Sequence, residues 1–182
     1  MNWRLSAAGC ALVAAALLAA GCGSGGSTTS TTSASVDWSN SLCSATTTWK
    51  GAVKDATSSL KSGPFTSATL DAATGRAKDA TQAYVDTLKG LGKPDTPSGQ
   101  TARSAVDTLQ TELQADVQTL QNATTDVSGA SAVLGSISVA SSTLLTMGSQ
   151  VKSTVSTLQQ SDVSGELEQA FAQADACAPY RS

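Results

Sequence analysis

Reactive side chains are scarce in this 182-residue chain, and what is missing already narrows its chemistry. There is no histidine, so Ser-His-Asp and Cys-His catalysis, imidazole metal ligation and the commonest general base drop out together. Glu112 and Asp116 stand four apart, which on a helix places two carboxylates on one face. Such a pair can do acid–base work or hold a hard cation, but no further ligand-type residue accompanies it, and a solvated acidic face is the expectation. Neither a metal nor a cofactor is called for. Trp38 and Trp49 are eleven residues apart, three helical turns, so both indoles share a face. Together with Tyr84 they either line a ligand slot or fill a core, and the core role is expected. The remaining reactive groups are four cysteines, Cys10, Cys22, Cys43 and Cys177.

Two of the four lie in a stretch with its own logic. After Arg4 comes an uncharged, mostly apolar run, Leu5 to Ala20, and then "LLAAGCGSGG" at residues 17–26. This is the charged, apolar, small-residue order of a secretory signal, too short and too weakly flanked for a stable membrane span. The "LAAGC" ending on Cys22 resembles the bacterial lipobox, with Ala19 where that pattern prefers Leu and Leu18 one step earlier. The resemblance implies that the Cys22 thiol receives a lipid and becomes the first residue of the mature protein, anchored to the outer face of the cell membrane. Cys10, in "SAAGC", has too little apolar sequence before it to serve. Residues 23–35, "GSGGSTTSTTSAS", carry no charge and one apolar side chain, and read as a flexible tether spanning roughly 20 Å. The expected division is a signal peptide at 1–21, lipidated Cys22 and tether at 22–35, and a folded domain at 36–182.

With Cys10 in the signal and Cys22 lipidated, Cys43 and Cys177 remain. A single leftover pair in an exported protein is expected to form a disulfide. No Cys-x-x-Cys motif suggests redox work instead. Charge excludes another class. The chain has 11 basic and 14 acidic residues, a net charge of −3, which argues against a nucleic-acid partner. Residues 37–103 sum to +2 and residues 104–182 to −6, so the two halves are expected to pair within one fold.

The elements that position these residues are helical. Trp38, Leu42, Thr46 or Ala45, Trp49, Val53, Ala56 and Leu60 step by threes and fours until "KSGPF" stops the run. Thr66 is placed to cap the next helix, with Phe65 stapled on Leu70. Leu70, Ala73, Ala77, Tyr84, Leu88 and Leu91 carry that helix to "GKPDTP", where Thr96 and Pro97 read as a cap and first-turn proline. A third run, Ala102, Val106, Leu109, Leu113, Val117 and Leu120, continues in phase through Val127, Ala130, Leu134, Ile137, Leu144, Val151, Val155 and Leu158. Periodicity permits one long helix, but a compact domain breaks it at "TTDVSGA". That phrase is echoed: "TLQNATTDVSG" at 119–129 and "TLQQSDVSG" at 157–165 read as one connector, with Asp and Ser capping a new helix each time. The final "GELEQAFAQADAC" returns Cys177 toward Cys43. No alternating strand pattern appears. The expected fold is all-α, an up-down four-helix bundle with a short fifth helix, closed by one disulfide.

One stretch stands out for lacking charge. Residues 127–151 are 25 consecutive uncharged residues, with too much Ser, Thr, Gly and Gln for a membrane helix. As a helix they turn Ser131, Gly135, Ser138, Ser142 and Ser149 outward, which would let another helix approach closely. The alternative is an ordinary low-charge Ser/Thr surface.

With the lipobox, the tether, "DWSNSLCSATTTW", "YVDTLKGLGKPDTPSG" and "GELEQAFAQADAC" in view, the chain resembles small exported helical lipoproteins of actinobacteria. That resemblance implies an envelope location and a helical fold, and no reaction. The function expected is non-enzymatic: a membrane-anchored bundle that binds an envelope protein or cell-wall component. The second expectation is a carrier holding a small amphiphile between the helices near Trp38, Trp49 and Tyr84.

Overall fold

A computed structural model describes residues 32–125, 127–160 and 164–181. Cys10, Cys22 and the tether up to residue 31 lie outside the described residues. The chain forms α1 (Ser33–Ser62), α2 (Ser67–Gly90), α3 (Gly99–Thr124), α4 (Ala130–Gln160), the short α5 (Glu166–Gln173) and a 3-10 turn over Asp175–Tyr180. Among the described residues there is no strand. The first four helices pack sequentially, α1 on α2, α2 on α3 and α3 on α4, and α4 closes back on α1. Short connections make successive helices antiparallel: Trp38 near the start of α1 meets Gly92 beyond the end of α2, while Ser59 near the end of α1 meets Arg76. This is the expected up-down bundle. α5 and the 3-10 turn lie against α1.

The apolar faces are those the sequence spacing specifies. Leu42, Trp49, Val53, Ala56 and Leu60 of α1, Leu70, Ala73, Ala77, Tyr84 and Leu88 of α2, and Ala102, Val106, Leu109, Leu113 and Leu120 of α3 are buried in one cluster. The core is lean. Its bulk comes from Leu and Val, with Trp38, Trp49, Tyr84 and Phe171 as its buried aromatics.

Helix ends follow the expected chemistry in part. Thr66 caps α2 by accepting from the Thr69 amide at 3.2 Å. Phe65 does not staple that end, being 59 % exposed. α1 starts at Ser33, inside the segment expected to be tether, because the Thr32 hydroxyl accepts the Ser35 amide at 3.2 Å and caps it there. α3 starts after Ser98 rather than Thr96; Pro97 sits in the preceding turn and the Thr96 hydroxyl is buried without a partner.

The α3–α4 boundary falls where the "DVSG" phrase predicts, and the glycine of each copy has a distinct part in it. Gly129 and Gly165 both adopt left-handed backbone, with φ of 86° and 73°, a conformation costly for any residue with a Cβ. The Gly129 carbonyl accepts the Val133 amide and the Gly165 carbonyl the Gln169 amide, so each glycine opens its helix. Gly165 stands at the N-cap position itself, with no side-chain cap; Asp126 and Asp162 lie outside the described residues.

Cys43 and Cys177 form the expected disulfide across a separation of 134 positions. It fastens the 3-10 turn to α1, and the Asn40 side-chain oxygen accepts the Ala176 amide beside it at 3.0 Å. A cross-link over that span removes about 4–5 kcal/mol of unfolded-chain entropy on the loop-closure model. Replacing Cys43 with Ser should therefore lower the melting temperature by roughly 10–20 °C in a chain of this size. Thermal denaturation under oxidising conditions checks this, and an unchanged midpoint would refute the closure.

Candidate functional site

Three places gather the residues singled out above. The first is the aromatic layer between α1 and α2. Trp49 stacks on Tyr84 with ring centroids 5.5 Å apart and planes 23° apart. Trp38 meets Phe171 edge-on at 6.3 Å. Two threonines hold the stacked pair by a reciprocal arrangement. Thr46 of α1 donates to the Leu42 carbonyl at 2.8 Å and accepts from the Tyr84 hydroxyl at 2.9 Å. Thr81 of α2 donates to the Ala77 carbonyl at 2.7 Å and accepts from the Trp49 indole N–H at 3.0 Å. Each helix thus supplies one aromatic and the hydroxyl that satisfies the other's. The layer is dry enough that burial raises the Tyr84 phenol to about 12. Trp38 donates to the Gly92 carbonyl at 3.3 Å. The trio expected to be core or ligand slot is core: packed, hydrogen-bonded and at most 5 % exposed. A shallow groove of about 600 Å³ between α1 and α2 touches only the outer edges of Trp49 and Tyr84.

The second place is the acidic pair. Glu112 is exposed, and Asp116 turns partly inward toward α4. Burial, only partly offset by a hydrogen bond from Gln150, raises the Asp116 carboxyl above the usual range, and the Glu112 charge adds to the rise. One Asp116 oxygen and the Gln150 side-chain oxygen are buried without a donor. Among the described residues no three Cys, Asp or Glu side chains converge as a metal site would require. The oppositely charged halves pack together in the one bundle, joined among these residues by an ion pair only at their boundary, Arg103–Asp107. The ion pairs present, Lys89–Asp86 and Arg103–Asp107, are both short-range along the chain, of the kind worth little to stability.

The third place is the outward face of α4. Ser131, Gly135, Ser138, Ser142 and Ser149 all lie on its solvent side, as their spacing predicts. Leu134 is not inward as expected: it is 52 % exposed, and Leu145 and Val139 join it at 65 % and 44 %. Ala130 is likewise exposed and Ile137 only half-buried, while the inward residues at this end are Val133 and Ala140. The 125–129 connector resets the helical phase that the sequence carried over from α3. From Leu144 onward, expectation and structure agree. α4 is long and apolar enough to cross a membrane by length and composition, yet it buries Met147, Val151, Val155 and Leu158 as one wall of the bundle. The exposed leucines escape a sequence reading because Leu is taken as inward by default.

Together these define the molecule as a disulfide-closed, all-α up-down bundle with one helix presenting an uncharged, partly apolar outer face. Against protein-family models, curated proteins and solved structures, the chain finds no match.

The Asp116–Gln150 contact carries a pH prediction. A carboxyl raised in the folded state binds its proton more readily there than in the unfolded chain. Its protonation therefore supports the fold at low pH, and that support is lost as pH rises through the folded-state value. Asp116→Asn, which supplies a donor at every pH, should raise the melting temperature at pH 7 and leave it nearly unchanged at pH 4, near the ordinary carboxylate range. Equal effects at both pH values would contradict the assignment.

Proposed function

We propose that this protein is a non-enzymatic, membrane-anchored envelope lipoprotein whose bundle docks a helical protein partner on the outer face of α4. The observation that carries the reading is the composition of that face. Three of the four large apolar side chains exposed among the described residues, Leu134, Val139 and Leu145, lie on this one helix. Between them stand Ser131, Gly135, Ser138 and Ser142, small enough for another backbone to approach closely. Apolar side chains clustered on an otherwise solvated surface mark contact sites rather than random exposure. The lack of any charge from 127 to 151 spares this face the large cost of desolvating ions on burial. A 31-residue helix runs about 45 Å, ample for helix-on-helix contact.

Anchoring rests on separate residues, the Leu5–Ala20 run and "LAAGC" ending at Cys22. Attachment would place the docking face a short tether away from the lipid surface, where partners are confined to two dimensions. Cys22→Ala should shift the protein from the membrane fraction to the soluble exported fraction; continued detergent-dependent fractionation would contradict lipid anchoring.

Docking is tested in intact cells with a photo-crosslinking residue at Ser138 and, as control, at Gln82 on α2, which is also exposed. The expected outcome is a discrete adduct from position 138 alone, abolished when Leu134 and Leu145 are both replaced with Asp. Adducts equal at both positions, or unaffected by the two aspartates, would overturn the docking role.

A further inference from the structure

A second site lies on another side of the molecule, where α1, α4 and the C-terminal turn meet. A groove of about 370 Å³ opens there, at the small end of the roughly 300–1,000 Å³ typical of small-molecule clefts. Pro179 and Tyr180 give it open apolar surface, and the core residues Trp49, Val151 and Val155 form its floor with only their outer edges. Its charges are Lys50, Lys152 and Arg181, and among the described residues no carboxylate side chain lines it. That sign runs against the composition of the chain. The chain is net negative, and residues 104–182 contain just two basic side chains, Lys152 and Arg181, both of which line this groove. Lys50 joins them from α1.

The three cations are not used up by acidic partners. The ion pairs among the described residues involve none of them. Arg181 is held in place by donating to the Ala174 carbonyl at 2.7 Å and the Phe171 carbonyl at 3.4 Å, contacts that fix the guanidinium without neutralising it. Lys50 sits 5.9 Å from the centre of the Tyr180 ring. The tyrosine itself is pinned at both ends: its hydroxyl lies 3.0 Å from that of Thr47, and its carbonyl accepts from Gln159 at 3.2 Å. The wall is therefore preorganised, which spares a ligand the cost of ordering it. The disulfide carries this wall, since Cys177 lies in the same 3-10 turn as Pro179 and Tyr180.

We infer that this groove binds an anionic, single-tailed amphiphile, its acid head among Lys50, Lys152 and Arg181 and its aliphatic tail against Pro179 and Tyr180, over the edges of Val151 and Val155. Like-charged side chains around an apolar floor complement an anion that carries its own apolar surface. The volume suits one chain rather than two. This site is distinct from the α4 outer face and does not depend on the docking reading.

The test is isothermal titration of the full, disulfide-bonded chain with sodium laurate below its micelle threshold. Dodecyltrimethylammonium serves as the tail with the opposite charge, and acetate as the head without a tail. Saturable one-to-one binding of laurate is expected, with neither control matching it. The K50E/K152E double variant, altered at two exposed positions, should weaken laurate by at least about ten-fold while keeping the helical circular dichroism of the parent. Lys152→Gln, which keeps the stem and removes the charge, should give a smaller loss. Ammonium binding as tight as laurate would reduce the groove to a non-specific apolar surface. Acetate binding as tight would reduce it to a plain anion site. An unchanged affinity in both lysine variants, or no saturable binding at all, would overturn the proposal.

Discussion

The covalent closure between Cys43 and Cys177 is the constraint on which the rest of this structure leans. α5 has eight residues and the turn after it six, lengths at which isolated helix is unstable in water and only tertiary contact holds it. The disulfide fixes that terminal segment to the first half of α1. Once it is fixed, Phe171 meets Trp38 and Tyr180 meets Thr47, while Arg181 reaches back to the carbonyls at the end of α5. The bond thus acts twice. It limits the unfolded chain, and it supplies the fourth side of α1 with a wall the apolar pattern alone would not retain.

Inside the bundle, threonine takes the part that charge plays in many proteins. Thr46 and Thr81 each return their own proton to the preceding helical turn and keep a lone pair for an aromatic donor on the neighbouring helix. A buried tryptophan N–H and tyrosine O–H are satisfied without placing an ion in the core, avoiding the desolvation cost of buried charges. The same economy governs the surface. Ion pairs among the described residues are local, and the long uncharged stretch of α4 is left facing outward with Leu134 and Leu145 in solvent. Cations from three elements then collect at one groove, opposite in sign to the net charge of the molecule.

Much of this is legible in the residues themselves, for identifiable reasons. The pairing of Cys43 with Cys177 comes from counting thiols. The burial of Trp38, Trp49 and Tyr84 comes from helical period, and the outward set from Ser131 to Ser149 from the same period on α4. The features that escape depend on geometry that period does not encode. The phase of α4 does not carry across the connector, so period puts Leu134 inward when it is exposed. The "DVSG" phrase marks two helix starts, but period does not show that the glycine of each takes left-handed backbone there. Phe65 stands largely in solvent, which its place before a capping threonine does not foretell. The cationic groove is invisible in sequence because Lys50, Lys152 and Arg181 are isolated along the chain, and only the folded C-terminal turn brings them to one place.

The most direct test of the proposed docking on α4 is hydroxyl-radical footprinting of the full chain, once purified and once in intact cell envelope. Oxidation at Leu134 and Leu145 would be compared with that at Phe65, which is similarly exposed but lies outside α4. If α4 carries a partner, Leu134 and Leu145 will be protected in the envelope and reactive after purification, while Phe65 reacts alike in both. Equal reactivity of the two leucines in envelope and solution would contradict the account.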